Sequence, residues 1–330
     1  MEFRPIQLPR DLHPIGDMIC DAFQYPENPE WGVQVDEKDQ IANSIRTIRK
    51  LWPLIKVMGT VSPPMRDIFR GYVAVDSGNI AGLTLLQRRG TTDTWIVGTV
   101  GVLPEHRRKG IARTTLEKSI DYMRTRGAKR TWLGVIDGNV PAQSLYQSLG
   151  FKTYDASTDY TLLQSSRVQT PKIPDGYTLE RLAQFDWKTR YELELRIAPL
   201  ETRQYEPIER GRYRQPLLMR ALLPLLMRLQ RVKDKEYIVR APSGEIVGRC
   251  GYSASMRGKG VNNVYARLSP EHPEVAAYIV GYVLNKVVSL SPNLRVEIGI
   301  PGWMPAVAEA AESYGFTKRV TYLKMGLSLE

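Results

Sequence analysis

The sequence predicts an α/β (α+β) chain built as two tandem copies of one domain, with helices covering a sheet in each copy. Three observations carry this prediction. The length of 330 residues fits two domains on the usual scale of roughly 100–200 residues each. Four segments recur in the same order at a nearly constant spacing. Between them, short β-rich runs alternate with stretches whose apolar residues follow the helical period.

The repeat is weak at each segment and consistent across them. Val75-Asp76-Ser77-Gly78-Asn79-Ile80-Ala81-Gly82 matches Ala241-Pro242-Ser243-Gly244-Glu245-Ile246-Val247-Gly248, both reading as strand, Ser-Gly turn, strand. Pro104-Glu105-His106 then matches Pro270-Glu271-His272 at the same offset. Ser148-Leu149-Gly150-Phe151 matches Ser313-Tyr314-Gly315-Phe316, and Leu51-Trp52-Pro53 resembles Leu222-Leu223-Pro224. Such self-similarity marks two copies of one unit, at residues 1–166 and 174–330. The boundary falls in Ser165–Asp175, where Ser, Gln, Thr and two prolines cluster.

In the first copy a strand is expected over Glu2–Leu8, a helix from about Asp11, and a second helical region over Glu37–Val57. Strands follow at Phe69–Val75, Ile80–Gln87 and Thr94–Val102. Ile111–Arg126 reads as a helix because Leu116, Ile120 and Met123 share one face at i, i+4, i+7. A strand at Arg130–Val135, a helix at Val140–Leu149 and two closing strands complete the copy. Gly150 stands where a helix C-terminus favours a left-handed residue.

Composition narrows the function classes. Apolar residues make up 42% and charged residues 25%, which suits a packed core. No run approaches the ~18 apolar residues of a membrane span. The first twenty residues carry Glu2, Arg4, Arg10, Asp11 and Asp17 without a signal-type apolar core, so a cytoplasmic protein is expected. Cys20 and Cys250 are the only cysteines, which indicates no disulfide framework. His13, His106 and His272 have no metal-ligand spacing, so no metal is expected. The net charge of +11 favours a polyanionic partner, whether nucleic acid, an anionic membrane or a phosphorylated cofactor.

One segment is suited to an anion. Val100-Gly101-Val102-Leu103-Pro104-Glu105-His106-Arg107-Arg108-Lys109-Gly110-Ile111-Ala112 joins a strand to a helix. A helix start offers unpaired N–H groups and the positive end of the macrodipole. Gly110 admits a close backbone approach, and Ala112 leaves the first turn uncrowded. Arg107, Arg108 and Lys109 oppose the dipole unless an anion is bound. A solvated basic turn is the plain alternative.

Arg107-x-x-Gly110-x-Ala112 after a Val-Gly-Val-x-Pro strand end resembles the acetyl-CoA signature of the GNAT superfamily of N-acetyltransferases. Asn139-Val140-Pro141-Ala142-Gln143-Ser144-Leu145-Tyr146-Gln147-Ser148-Leu149-Gly150-Phe151 resembles the family's Asn-x-x-Ala-x-x-x-Tyr-x-x-x-Gly-Phe helix. The chain is therefore similar to a tandem GNAT protein, and the resemblance implies a mixed, mostly antiparallel sheet in each copy. It implies an enzyme that uses acetyl-CoA as co-substrate and acetylates a primary amine by direct attack in a ternary complex. The implied cofactor-binding residues are Val100, Gly101, Val102, Arg107, Arg108, Lys109, Gly110, Ile111, Ala112 and Asn139. Backbone groups of Val100–Val102 would meet pantetheine, and the basic loop would hold pyrophosphate. Tyr146 would be the catalytic acid for the leaving thiolate, which a phenol of ordinary pKa about 10 can protonate. Tyr146 also suits a core aromatic, and Asn139 a helix cap.

The general base is not evident. Many relatives carry a Glu on the central strand, and Thr94–Val100 has no acid. Asp21, Glu27, Glu30, Asp36, Glu37 and Asp39 lie where such proteins bind the acceptor, and the C-terminal carboxylate of Glu330 is a further candidate.

The second copy lacks these groups. Arg107–Ala112 aligns with Pro273–Tyr278, where Glu274 would repel a pyrophosphate; Tyr146 aligns with Ala311 and Asn139 with Met304. A degenerate, non-catalytic domain is expected. Arg210–Arg231 carries an apolar stripe of Leu217, Leu218, Ala221, Leu222, Leu225 and Leu229, with Arg212, Arg214, Arg220, Arg228 and Arg231 mainly elsewhere. Pro216 and Pro224 interrupt it, so packing is favoured over a membrane surface. A non-catalytic acyl-CoA-binding or sensing protein is the alternative reading, and Tyr146 favours the enzyme. The expected partners are acetyl-CoA and a small amine or peptide-type acceptor, with no nucleic acid and no membrane. A monomer or homodimer is expected.

Overall fold

The computed structural model describes residues 1–25, 27–32, 45–53, 55–57, 60, 67, 69–164, 166–214, 220, 223–224, 227–228, 231–258 and 260–330. The chain forms two compact units. The first takes Met1–Tyr154, Tyr205–Pro207 and Leu323–Glu330; the second takes Asp155–Gln204 and Ile208–Tyr322.

In the first unit β1 (Glu2–Pro5), β2 (Arg70–Asp76), β3 (Asn79–Arg88), β4 (Thr94–Val102) and β5 (Arg130–Ile136) lie side by side in that order. The first four are antiparallel neighbours, and β4 runs parallel to β5. A parallel pair needs a crossover, and the Ile111–Thr125 helix supplies it. The turn between β2 and β3 places Ser77 and Gly78 at φ 49° and 86°, the backbone that two-residue hairpins favour.

Two irregularities of β4 prepare the site. Leu85 pairs with Thr99 and Leu86 with Val97, so Gly98 is an extra, bulged residue. Pairing with β5 covers only Thr94–Val97 against Arg130–Leu133. Beyond the bulge, the end of β4 has no partner on the β5 side.

One face packs Trp95, Leu116, Met123, Leu133 and Phe151 into a core under the Ile111–Thr125 and Val140–Ser148 helices. The other packs Ile15, Met18, Val73 and Leu83 under the Leu12–Ala22 helix. Asp11 precedes that helix, and its carboxylate binds the Arg4 guanidinium at 2.6 and 2.9 Å and the Gln7 N–H at 2.7 Å. Burial pushes this carboxyl up, but Arg4 and the Gln7 N–H outweigh it, and the net shift is downward. The stabilisation it contributes is therefore complete above the unfolded value near 4 and is lost as pH falls through the lower folded value. Asp11→Asn is expected to lower the melting temperature at pH 7, with the gap to wild type closing as pH falls below the ordinary carboxylate range. A gap that persists unchanged in acid would contradict this role.

The sequence predicts two closing strands for the first copy, and the structure has one, β6 (Lys152–Leu162). Its Ser157–Leu162 segment pairs antiparallel with β11 (Val296–Pro301) of the second unit. In the first unit the place beside β5 goes to the end of the last strand, β12 (Thr317–Ser328). Met325 and Leu329 are buried in the core with Trp95 and Leu133, and the Leu329 N–H donates to Lys129 O at 2.9 Å. Tyr205 stacks on Tyr154 at 4.8 Å, and Glu206 takes the Tyr154 hydroxyl at 3.1 Å and Lys324 at 2.7 Å.

The second unit continues from β6 through β11, β10 (Asn262–Leu268), β9 (Ile246–Ser255) and β8 (Val232–Arg240) to β7 (Thr178–Arg181). The Ala276–Leu290 helix buries Ile279, Val280, Val283, Leu284 and Val287 against this sheet. The Trp187–Ile197 helix packs on β9.

Residues 45–53 and 55–57 of the predicted Glu37–Val57 helix are helical, and residues 37–44 and 54 lie outside the described ones. Leu217, Leu218, Ala221, Leu222, Leu225, Leu229 and Pro216 of the Arg210–Arg231 stripe also lie outside them. Among the described residues no helix is long and apolar enough to cross a membrane, and no group of three or more His, Cys, Asp or Glu could hold a metal.

Candidate active site

The unpartnered end of β4 opens into a cavity of about 790 Å³ in the first unit. Val100, Gly101 and Val102 form one wall. Arg107, Arg108 and Gly110 of the following loop form the next, with Ile111 and Ala112 of the helix start. Asn139 and Tyr146 come from the second helix. All the predicted site residues except Lys109, which is exposed, therefore border one cavity.

The loop's backbone explains how it can receive an anion. Arg108 and Gly110 are both left-handed, at φ 63° and 78°. Changes of handedness along a short segment gather successive N–H groups into a concave cradle. Gly110 is the N-cap of the Ile111–Thr125 helix and has no side-chain cap, and no acidic residue stands in the first turn. The helical ladder starts with Thr114 N–H on Gly110 O at 3.0 Å, so the N–H groups of Ile111, Ala112 and Arg113 are not used within the helix. A Cβ on Gly110 would meet nothing within 4 Å. Its backbone angle, not crowding, is what asks for glycine.

Arg107 does more than add charge. Its guanidinium donates to Ala22 O at 2.9 Å and Val102 O at 3.4 Å. It ties the C-terminus of the Leu12–Ala22 helix, where a cation is favoured, to the end of β4.

Asn139 caps the Val140–Ser148 helix, accepting from the Ala142 N–H at 3.4 Å. Its side chain also meets the hydroxyl of Tyr25. Burial raises the Tyr25 pKa, and Arg107 and Asn139 offset part of the rise. The Tyr25 ring stands edge-on to Trp31 at 5.7 Å, and both line the cavity. Gly138, at φ 88°, lies against the Trp31 ring. Sequence reasoning misses this aromatic wall. Its only trace in the sequence is the spacing Phe23, Tyr25, Trp31 after a helix, which does not say where the rings point.

Tyr146 is both a core and a cavity residue. Its ring packs edge-on against Phe151 at 6.1 Å, and it borders the cavity. Burial pushes its pKa well above the ordinary value, and the neighbouring Tyr25 adds to this. The phenol therefore keeps its proton through the physiological range, as an acid must.

Glu27 is the one carboxylate among the described lining residues, and His106 is the one imidazole. The His106 Nδ1 is buried and has no partner among the described residues. Asp21 does not line the cavity. Asp36, Glu37 and Asp39 and the Glu30 side chain lie outside the described residues. The Glu330 side chain pairs with Lys129 at 3.3 Å, just before β5 begins. That is the other end of the parallel β4–β5 pair from the cavity, so Glu330 is corrected as a candidate base.

Residues 57–151 match the model of the Acetyltransferase (GNAT) family. The chain is 35% identical over 83 residues to streptothricin acetyltransferase of Streptomyces lavendulae, a match covering 25% of this chain and 44% of that protein. The chain thus spans less than half the length of that curated relative. Over 99% of its length it shares the fold of a GCN5-related N-acetyltransferase from Sphaerobacter thermophilus, with TM-score 0.66, 15% identity and 96% of that chain covered. It also resembles a tandem GNAT protein from the clavulanic acid biosynthesis pathway, with TM-score 0.58, 16% identity and coverage of 100% and 98%. Residues 57–151 are thus a domain of the acetyltransferase (GNAT) family, in a chain with the fold of a tandem GNAT protein.

Proposed function

We propose that the chain is an acetyl-CoA-dependent N-acetyltransferase that acetylates a primary amine by direct attack in a ternary complex. The observation that carries this reading is one cavity bordered by the uncapped helix start, the unpartnered end of β4 and the protonated phenol of Tyr146. The N–H groups of residues 108–113 suit a pyrophosphate, and the free edge of β4 suits the amides of a pantetheine arm. Acetyl-CoA supplies the acetyl thioester. Tyr146 holds a proton at Oη for the departing sulfur, a contribution of the general-acid type. Glu27 and His106 are the groups of the wall that can take the amine's proton.

The same reading assigns one such site per chain. In the second copy Ala276 replaces Gly110 and is right-handed at φ −57°. Glu274 stands in place of Arg108, bonded to the Tyr177 hydroxyl, which also meets His272 Nδ1 at 2.7 Å. That bond lowers the Glu274 pKa, so this loop carries its own anion. Met304, in place of Asn139, is buried and takes the Leu268 N–H on its sulfur at 3.5 Å.

The test is coenzyme A release with acetyl-CoA over a panel of small amines and peptide N-termini. Turnover with at least one amine supports the reading; tight acetyl-CoA binding with no turnover on any would favour a sensor. Gly110→Val is expected to weaken acetyl-CoA binding at least tenfold, because a β-branched residue resists the left-handed backbone at a cost of about 1–3 kcal/mol. An unchanged dissociation constant in titration calorimetry would remove the loop from the site.

A further inference from the structure

The second unit holds a different cavity, of about 290 Å³, on the β8–β9 face covered by the Trp187–Ile197 helix. In the first copy the matching seam between helix and sheet is apolar: Leu83 is buried there with Ile15, Met18 and Val73. The aligned Ser-Gly turns place Arg249 where the first copy has Leu83. Arg249 and Arg190 both bind Glu236, at 2.8 and 2.6 Å, and Arg249 also reaches Glu194 at 3.4 Å. An ion network at a helix–sheet seam is no better for stability than apolar packing, so stability alone does not account for the exchange.

Both carboxylate oxygens of Glu236 are taken up within this network. Two further charges on the cavity wall stand outside it: Asp234, which shares the Glu236 face of β8, and Arg212. Neither side chain makes a hydrogen bond or ion pair among the described residues. Arg220 adds a cation over the Phe185 ring at 5.9 Å, and Leu223 and Met227 give an apolar surface. A carboxylate and a guanidinium that make no hydrogen bond or ion pair among the described residues, with an apolar patch in the same small cavity, match the parts of a free amino acid. The volume lies just under the roughly 300–1,000 Å³ of pockets for drug-sized ligands.

We propose that the second unit binds a free α-amino acid, its ammonium on Asp234, its carboxylate on Arg212, and its side chain against Phe185, Leu223 and Met227. The site is independent of the acetyl-CoA cavity and does not rest on the activity proposed for it. The test is titration calorimetry of the full chain with each standard amino acid up to about 10 mM. Saturable binding of at least one is expected. Asp234→Asn should weaken it at least tenfold while leaving the affinity for the deamino analogue unchanged, and Arg212→Ala should weaken both. Unliganded melting temperatures of the variants serve as the check on folding. No saturation by any amino acid, or equal binding by wild type and both variants, overturns the proposal. So does a peptide with a blocked carboxylate that binds as tightly as the free amino acid, because the site would then be reading a chain end.

Discussion

Tyr146→Phe is expected to lower kcat by about 10²- to 10⁴-fold, the range of general acid–base contributions. Acetyl-CoA affinity should change little. The substitution removes one oxygen and keeps the ring that packs on Phe151, so the core is preserved. No described hydrogen bond holds the Tyr146 hydroxyl, so its loss orphans no described partner. The raised pKa adds a second expectation. The phenol of wild type stays protonated up to strongly alkaline pH, so no loss of rate from Tyr146 ionisation should appear near its ordinary value of about 10. Steady-state rates across pH for both proteins check the two points together. Equal kcat in the variant would exclude the acid role. A wild-type rate that falls with an apparent pKa near 10, absent from the variant, would instead show a phenol that titrates in the ordinary way.

Much of this site is legible in the sequence because local chemistry dictates it. Thr94–Val102 is read as a strand and is one, because its apolar β-branched residues have little alternative. Ile111–Thr125 is a helix because its apolar stripe fits one face. Gly150 is read as a left-handed residue closing a helix and has φ 90°. What escapes is what depends on partners distant in sequence. The second closing strand of the first unit is supplied by Leu323–Glu330, whose alternation of Leu323, Met325, Leu327 and Leu329 marks a strand and not its neighbour. Two copies of one domain offer two sheets with similar vacancies, and nothing local in a closing strand selects between them. The aromatic wall of Tyr25 and Trp31 is hidden for the same reason, since it depends on Gly138 approaching from more than a hundred residues away.

The proposal that the second copy has no acetyl-CoA cleft can be tested through stability. Met304 is buried within the core that Leu268, Val275 and Val307 share, and its sulfur is the acceptor for the Leu268 N–H. Met304→Ala should destabilise the fold by about 2–5 kcal/mol through the cavity it leaves, and the stranded N–H of Leu268 adds to that cost. The measurement is the free energy of unfolding in urea, and a loss well under 1 kcal/mol would mean that the cleft collapses without Met304. Met304→Asn separates packing from function. It restores the residue type of the first copy, but the loop ahead of the Ala276–Leu290 helix still carries Glu274 and a right-handed Ala276. Acetyl-CoA should therefore bind this variant with the same stoichiometry as wild type, one per chain. A second equivalent would show that Met304 alone had closed the second copy; its absence would mean that cleft and cradle were lost separately, so that no single reversion restores the site.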